Sequence, residues 1–417
     1  MLLRLALRVA SLAAKFGLTI AIARELGFAA VGEYGLAVAT SVIASKLGGL
    51  GFSAELNREM SGHRPADAIR TARSLRKLYV AFYLLVGTGL LLALVCGRHL
   101  DLPANKLLYG LIFLVAVSEH YALEVNAYLF SLHLSRAASG MLFSRTGGWA
   151  IVASAGLMCG VFSSIGIVLV LWLLTNVFVI VGAWALLSRI PAQPALNEIM
   201  PTRSMFSWKE TWMAGAPFYV GGVLLAGLQY AERFVASIAL PAAEVGRYVF
   251  VWSIANAVQT IAYATVNVTA GPRLARAAVD AKADWSGVFL KSLRDTIVIG
   301  VSVAVGIACV SPIIFRMTNE TLNPTILFLL AILLASFLLR AVGDLLWSAA
   351  IARRARRHIV ITMFSAAALA SPLAWWLIPR LGVTGVAIAH ALASVSVLIA
   401  LWWAQRQAEE KVGVSDA

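Results

Sequence analysis

The chain has 417 residues, of which 60% are hydrophobic and 13% charged, with a mean hydropathy of +0.84 and a net charge of +14. Soluble domains carry roughly twice that share of charge, so the composition excludes a soluble enzyme or binding module and indicates an all-α integral membrane protein. In such a chain the excess of Lys and Arg reads first as loop charge under the positive-inside rule, and no nucleic-acid partner is implied.

The first element, Met1 to about Arg24, is mostly Leu, Ala, Val and Ile but carries Arg4, Arg8, Ser11, Lys15 and Thr19. At about 100° per residue these five side chains share one narrow face. A cation at mid-bilayer costs about 2.5 to 3.5 kcal/mol on insertion scales, so that face is expected to look into protein or water rather than lipid. Arg4 and Arg8 also fit as flanking cytoplasmic charges, whereas Lys15 lies too deep for that reading. The early arginines and Ala21-Ile22-Ala23 imitate a signal peptide, but Lys15 interrupts the apolar core and argues against cleavage.

Further apolar runs follow near 30–53, 75–97, 107–130, 141–161, 163–187, 211–236, 245–270, 289–311, 324–348, 358–378 and 382–404. Each is long enough to cross a bilayer, which makes about twelve transmembrane helices. The connections expected inside contain Arg58, Arg64, Arg70, Arg73, Arg76, Lys77, Arg136, Arg145, Arg189, Arg203, Lys209, Arg273, Arg276, Lys282, Lys291, Arg294 and the 353–357 arginine cluster; the outer ones hold few cations. Both termini are therefore expected in the cytoplasm. Residues 188–210, with Pro191, Pro194 and Pro201, read as a cytoplasmic linker between an N-lobe (1–187, helices 1–6) and a C-lobe (211–404, helices 7–12), with a cytoplasmic tail at 405–417. Cys96, Cys159 and Cys309 lie in apolar runs without metal-ligand spacing and read as packed free thiols; no cofactor or metal is expected.

An internal repeat supports two lobes. Leu26, Val31, Gly32 and Tyr34 recur at one constant offset as Leu240, Val245, Gly246 and Tyr248, and Gly166 matches Gly385 at a nearly equal offset. An even number of helices per repeat gives parallel repeats, expected to enclose a central cavity. The offset maps Lys15 onto Gln229, Thr19 onto Arg233 and Lys46 onto Thr260. Lys46 fits either the cavity or a snorkelling position at the cytoplasmic surface. The eighth helix carries Tyr248, Trp252, Asn256, Gln259, Tyr263 and Asn267 at helical spacing, which suits either sugar recognition or interhelical hydrogen bonding. His120 with Glu124, and Arg340 with Asp344, are base-then-acid pairs at i,i+4 that serve either as self-neutralised pairs or in ion coupling; Glu119, with no local partner, is a further proton-carrier candidate.

Ala23-Arg24-Glu25-Leu26-Gly27, Val31-Gly32-Glu33-Tyr34, Gly51-Phe52, Asn57-Arg58-Glu59 and Leu381-Gly382-Val383-Thr384-Gly385-Val386-Ala387 together resemble the opening and closing segments of polysaccharide flippases in the multidrug/oligosaccharidyl-lipid/polysaccharide (MOP) exporter superfamily. The resemblance implies a MATE-like fold of two six-helix bundles. It also implies a flippase for O-antigen or similar repeat units on undecaprenyl pyrophosphate in a bacterial inner membrane, with a polysaccharide polymerase and chain-length machinery as partners. The basic cavity it implies falls here on Arg4, Arg8, Lys15, Lys46 and Arg233, with Gln229, Asn256, Gln259, Tyr263 and Asn267 beside them. The two additional helices usual in lipid-linked peptidoglycan-precursor flippases are not found. The rivals are a multidrug exporter of the same fold, which would want acidic groups where the stripe is basic, and a membrane glycosyltransferase or polymerase, which would want a catalytic loop that the spacing leaves no room for.

Overall fold

An apolar run of about 20 residues satisfies its backbone in hydrocarbon by hydrogen-bonding to itself, and the chain does this throughout. The computed structural model describes residues 2–60, 65–96, 106–190, 208–278, 284–318, 320, 322–353 and 355–415. All regular structure among the described residues is helical. In chain order the helices are α1 (Leu2–Glu25), α2 (Phe28–Gly48), α3 (Ser53–Met60), α4 (Pro65–Cys96), α5 (Lys106–Ser131), α6 (Ser135–Phe143), α7 (Trp149–Met158) and α8 (Ile165–Leu187). They continue as α9 (Trp208–Tyr230), α10 (Glu232–Ala239), α11 (Ala242–Ala255), α12 (Ala257–Ala262), α13 (Val268–Ala277), α14 (Trp285–Met317), α15 (Pro324–Ala352) and α16 (Arg356–Ser415). Single π turns, Ser144–Gly148 and Tyr263–Asn267, join α6 to α7 and α12 to α13.

Eight described helical segments are long and apolar enough to cross a membrane, α11–α13 counting as one, and the chain is a multi-pass membrane protein. The helices α1, α9 and α6–α7, which the sequence reading also counts as spans, are helical here and carry charge, Pro217 and a π turn respectively. Within α16, Gly382 takes φ 59°, a left-handed value open to glycine, and breaks the segment into two apolar helices.

The chain divides into two compact units. One comprises Met1–Lys15 and Thr40–Tyr219, the other Phe16–Ala39 and Val220–Ala417. In the first, α5 packs along α8, and Leu56, Tyr79, Tyr128 and Leu187 join α3, α4, α5 and α8 in one core. In the second, α15 packs along α16.

The second unit also brings the repeated motifs face to face. Gly32 on α2 and Gly246 on α11 lie backbone against backbone: a Cβ on Gly32 would stand 2.9 Å from the Ala242 carbonyl oxygen, and one on Gly246 would overlap the carbonyl oxygen of Phe28. Small residues let membrane helices approach this closely, and dispersion along the seam then holds them. Phe28 adds an edge-to-face contact with Phe250 at 5.7 Å.

The helices α4 and α14 are the least covered, each with an apolar window only 11% buried. Leu84, Leu85, Leu91, Val298 and Val305 stand exposed on them, as side chains facing lipid do. Cys159 and Cys309 are exposed free thiols rather than packed ones, because they fall on such outward faces, and the side chain of Cys96 lies outside the described residues.

Gly246→Ala should lower stability by about 1 to 3 kcal/mol through overpacking. Gly227→Ala, at a helical position where an added Cβ meets nothing within 4 Å, should be neutral or mildly stabilising. Thermal unfolding of the two purified variants compares them directly, and equal melting would refute the close seam.

Candidate functional site

The first unit holds a charged cluster where α1, α5, α8 and the Ser144–Gly148 π turn converge. Ser11 on α1 lies against Gly147, accepts a hydrogen bond from Thr146 Oγ1 at 2.9 Å and donates to the Leu7 carbonyl. One turn on, the half-buried Lys15 is close enough to Glu119 and Arg145 to feel both charges, and its Nζ stands 5.9 Å from the centre of the Trp172 ring. Glu119 is buried, ion-paired to Arg145 Nη1, and accepts the Trp172 indole N–H at 3.0 Å. Trp149 stacks on Trp172 at 5.0 Å and donates its indole N–H to the Arg145 carbonyl at 2.8 Å. Among the described residues two cations therefore share the Glu119 carboxylate, with stacked indoles as a wall. The side chains of Arg4 and Arg8 lie outside the described residues.

Glu119 thus has the cross-helix partner that local sequence cannot reveal. Arg145, placed among the loop charges by its sequence position, is instead 5% exposed inside a helical segment. The signal for it was present: Arg145 falls within the apolar run 141–161, where a charge needs an internal partner.

A second polar cluster joins α3, α4 and α5. Glu124 accepts from Ser53 Oγ at 2.5 Å and lies 3.8 Å from His120 Nε2, so the i,i+4 pair is in contact. His120 Nδ1 hydrogen-bonds the Tyr83 hydroxyl, and its ring meets Tyr79 edge-on at 5.0 Å. Among the described residues Glu124 Oε2, His120 Nε2 and the Tyr79 hydroxyl, all buried, have no hydrogen-bond partner within geometric limits.

The second unit builds its cluster on α9–α12, α15 and α16. Arg233 is 1% exposed; it donates to the Gly35 carbonyl at 2.9 Å and lies over Trp252 at 4.0 Å and Tyr230 at 5.1 Å. Beside it, buried Glu232 accepts from the Tyr248 hydroxyl at 2.9 Å. Trp252 and Ser336 both hydrogen-bond His390, and Ser336 also contacts Ser394 at 2.8 Å. Arg340 donates to Ser394 Oγ at 2.8 Å and to the Leu228 carbonyl at 2.7 Å, while Asp344 accepts from Gln259 at 2.8 Å and Gln259 in turn from Gln229 at 3.1 Å. Glu232, Ser336, His390 and Ser394 are members that the sequence reading did not single out. Glu232, inside the run 211–236, was findable as an acid next to a base.

The face expected from Tyr248 to Asn267 is not continuous. Tyr248 and Trp252 are buried, Asn256 and Gln259 half-buried, Tyr263 47% exposed and Asn267 buried again. The helix passes through Asn256, between α11 and α12, with helical dihedrals, and the π turn starting at Tyr263 adds a residue that rotates everything beyond it. Asn267 holds both side-chain polar atoms without a partner among the described residues. Lys46 stands exposed in the last turn of α2. Among the described residues no three of His, Cys, Asp and Glu come together as metal ligands.

The fold has known counterparts. An inward-facing multidrug resistance MATE family transporter of the MOP superfamily matches with a TM-score of 0.66 and 16% identity over 98% of both chains. The lipid II flippase MurJ, in an inward closed conformation, matches at 0.62 and 14% over 97% of this chain and 87% of its own. A MOP superfamily transporter from Pyrococcus furiosus, described by a reversed polarity of its binding pocket that suggests a different function, matches at 0.58 and 14% over 98% and 95%. No protein-family model and no curated protein sequence matches the chain. The chain has the all-helical MOP fold.

Deleting Glu119 removes the carboxylate that answers both Arg145 and Lys15. Glu119→Ala should therefore cost about 3 to 5 kcal/mol, and adding Arg145→Ala should recover part of it. Melting temperatures of the single and double variants read this, and a double variant no more stable than the single would show that the pair is not coupled.

Proposed function

We propose that this protein is a membrane transporter of the flippase type, carrying an O-antigen or similar oligosaccharide repeat unit on undecaprenyl pyrophosphate from the cytoplasmic to the periplasmic leaflet of a bacterial inner membrane. The observation that carries the reading is the cationic character of the α1 cluster, where, among the described residues, both Lys15 and Arg145 are set against the carboxylate of Glu119. An anionic ligand offsets such charge, whereas a cationic drug adds to it. Arginine offers forked donors to phosphate oxygens, and half-buried Lys15 acts as a point charge that adjusts to its ligand.

In this reading the site opens to one side of the membrane and then the other, each opening stabilised by differential binding of substrate. Arg4, Arg8 and Lys46 are the further cations proposed in the first unit; in the second, Arg233 is the proposed cation, and Gln229, Asn256, Gln259, Tyr263 and Asn267 offer amides and aromatic plates to sugar. Glu119 and Glu124, with Arg340 and Asp344, are the ion-coupling candidates. Both termini lie in the cytoplasm, and a polysaccharide polymerase with its chain-length machinery receives the product.

A multidrug exporter is the second reading. It is favoured by the second unit, where Glu232 and Asp344 accompany Arg233 and Arg340, and by the MATE structures that share the fold. A fold hosts more than one substrate, so the decision rests on the site.

Lys15→Ala should abolish export of lipid-linked sugar at normal protein level, while Lys15→Arg retains a measurable part. Flipping assayed in proteoliposomes, alongside efflux of a cationic dye, separates the readings: wild-type flipping by Lys15→Ala sinks the first, and dye efflux without flipping establishes the second.

A further inference from the structure

A cavity of about 470 Å³ lies in the second unit, outside the clusters described above, between the α12–α13 segment and the first turns of α14. Two ladders line it. Thr265, Thr269 and Arg273 follow at i, i+4 and i+8 along one side, and Lys291 and Asp295 at i and i+4 along the other. Arg273 and Lys291 are exposed, and neither has a hydrogen-bond or ion-pair partner among the described residues. Asp295 is within 3.4 Å of Arg294 Nη2, which offsets its charge and leaves the cavity cationic.

The opposite end is apolar, with Val266 and Ile299 in the floor and Val298 56% exposed at the rim. From Lys291 to Val298 the α-helical rise covers about 10 Å, the depth over which a lipid passes from headgroup to acyl chain. An aromatic marker lies one to two turns before Lys291: Trp285 stacks on Phe289 at 5.2 Å and carries the Arg353 guanidinium 3.4 Å from its ring centre, as residues at a membrane interface do. The helix α14 is itself among the least covered of the molecule, so the cavity opens on a lipid-facing helix.

We infer that this groove is a binding site for the phosphate of a membrane phospholipid, held by Arg273 and Lys291, with the acyl chain running along Val298. The guanidinium forks the phosphate oxygens and the ammonium adds a point charge. Basic pockets between helices at a membrane surface bind anionic headgroups in this manner. The hydroxyl protons of Thr265, Thr269 and Ser292 are already donated to carbonyls of their own helices, so their oxygens face the groove as acceptors for headgroup hydroxyls. The site is distinct from the clusters assigned to transport and does not depend on what is transported.

The test uses the full-length protein in a neutral detergent, titrated with phosphatidylglycerol and followed by native mass spectrometry and by melting temperature. Wild type should hold one lipid that survives exchange, and Arg273→Gln/Lys291→Gln should bind it about tenfold or more weakly while melting like wild type without lipid. The double variant should keep wild-type transport. Equal binding by wild type and variant would overturn the inference. So would displacement of the lipid by an equal concentration of inorganic phosphate, which would make this a free-phosphate site. Displacement by undecaprenyl pyrophosphate together with lost transport in the double variant would assign the groove to the substrate path instead.

Discussion

In hydrocarbon a charge has no water to fall back on, and the arrangement of this molecule follows from that constraint. Arg145, Arg233 and Arg340 are each at most 5% exposed, and each has been given partners of a different kind. Arg145 takes a carboxylate, Arg233 takes a backbone carbonyl and two aromatic faces, and Arg340 takes a serine and a second carbonyl. Supplying them needs several helices at once, so the same contacts that neutralise the charges fix the packing around them. The carbonyl that accepts from Arg340 is that of Leu228, just ahead of the break between α9 and α10, where a helix end leaves acceptors to spare.

Close backbone approach is the second organising contact. The Gly32–Gly246 seam joins two copies of one motif, and it works because neither side carries a Cβ. Lipid offers no hydrophobic drive for helices to associate, so contact area at short range takes over that task. Gly35, on the same helix, contributes twice, by meeting Val249 and by presenting its carbonyl to Arg233. Seam and charge cluster therefore meet at Gly35.

The α1 cluster of the first unit and the cluster of the second differ in charge balance. Among the described residues, two cations meet one carboxylate in the α1 cluster, whereas in the second unit's cluster acids and bases are evenly matched and linked by amides, tyrosine, histidine and serine. That contrast bears on function more than the shared MOP fold does, because one fold accommodates substrates of opposite charge by changing only the groups it aims at them. Helix irregularities mark the same regions: a π turn delivers Arg145 to Glu119 on α5 and Thr146 to Ser11 on α1, and another turns Asn267 inward. Such turns recur at functional sites because they re-aim side chains without ending a helix.

Membrane class, the apolar helical spans and the repeat of Val-Gly-x-Tyr were all legible in the linear chain. These depend on local quantities: apolar length and spacing. The i,i+4 contact of His120 with Glu124 was legible for the same reason, since one helix places both groups. Other features were settled only in three dimensions. Glu119 chose Arg145, Gln259 rather than Arg340 came to hydrogen-bond Asp344, and Cys159 and Cys309 faced outward. The break in the eighth-helix stripe likewise came from a π turn that no periodicity announces. The physical reason is common to them. Helical spacing specifies which side chains share a face, but which neighbouring helix meets that face is decided by packing between segments far apart in sequence.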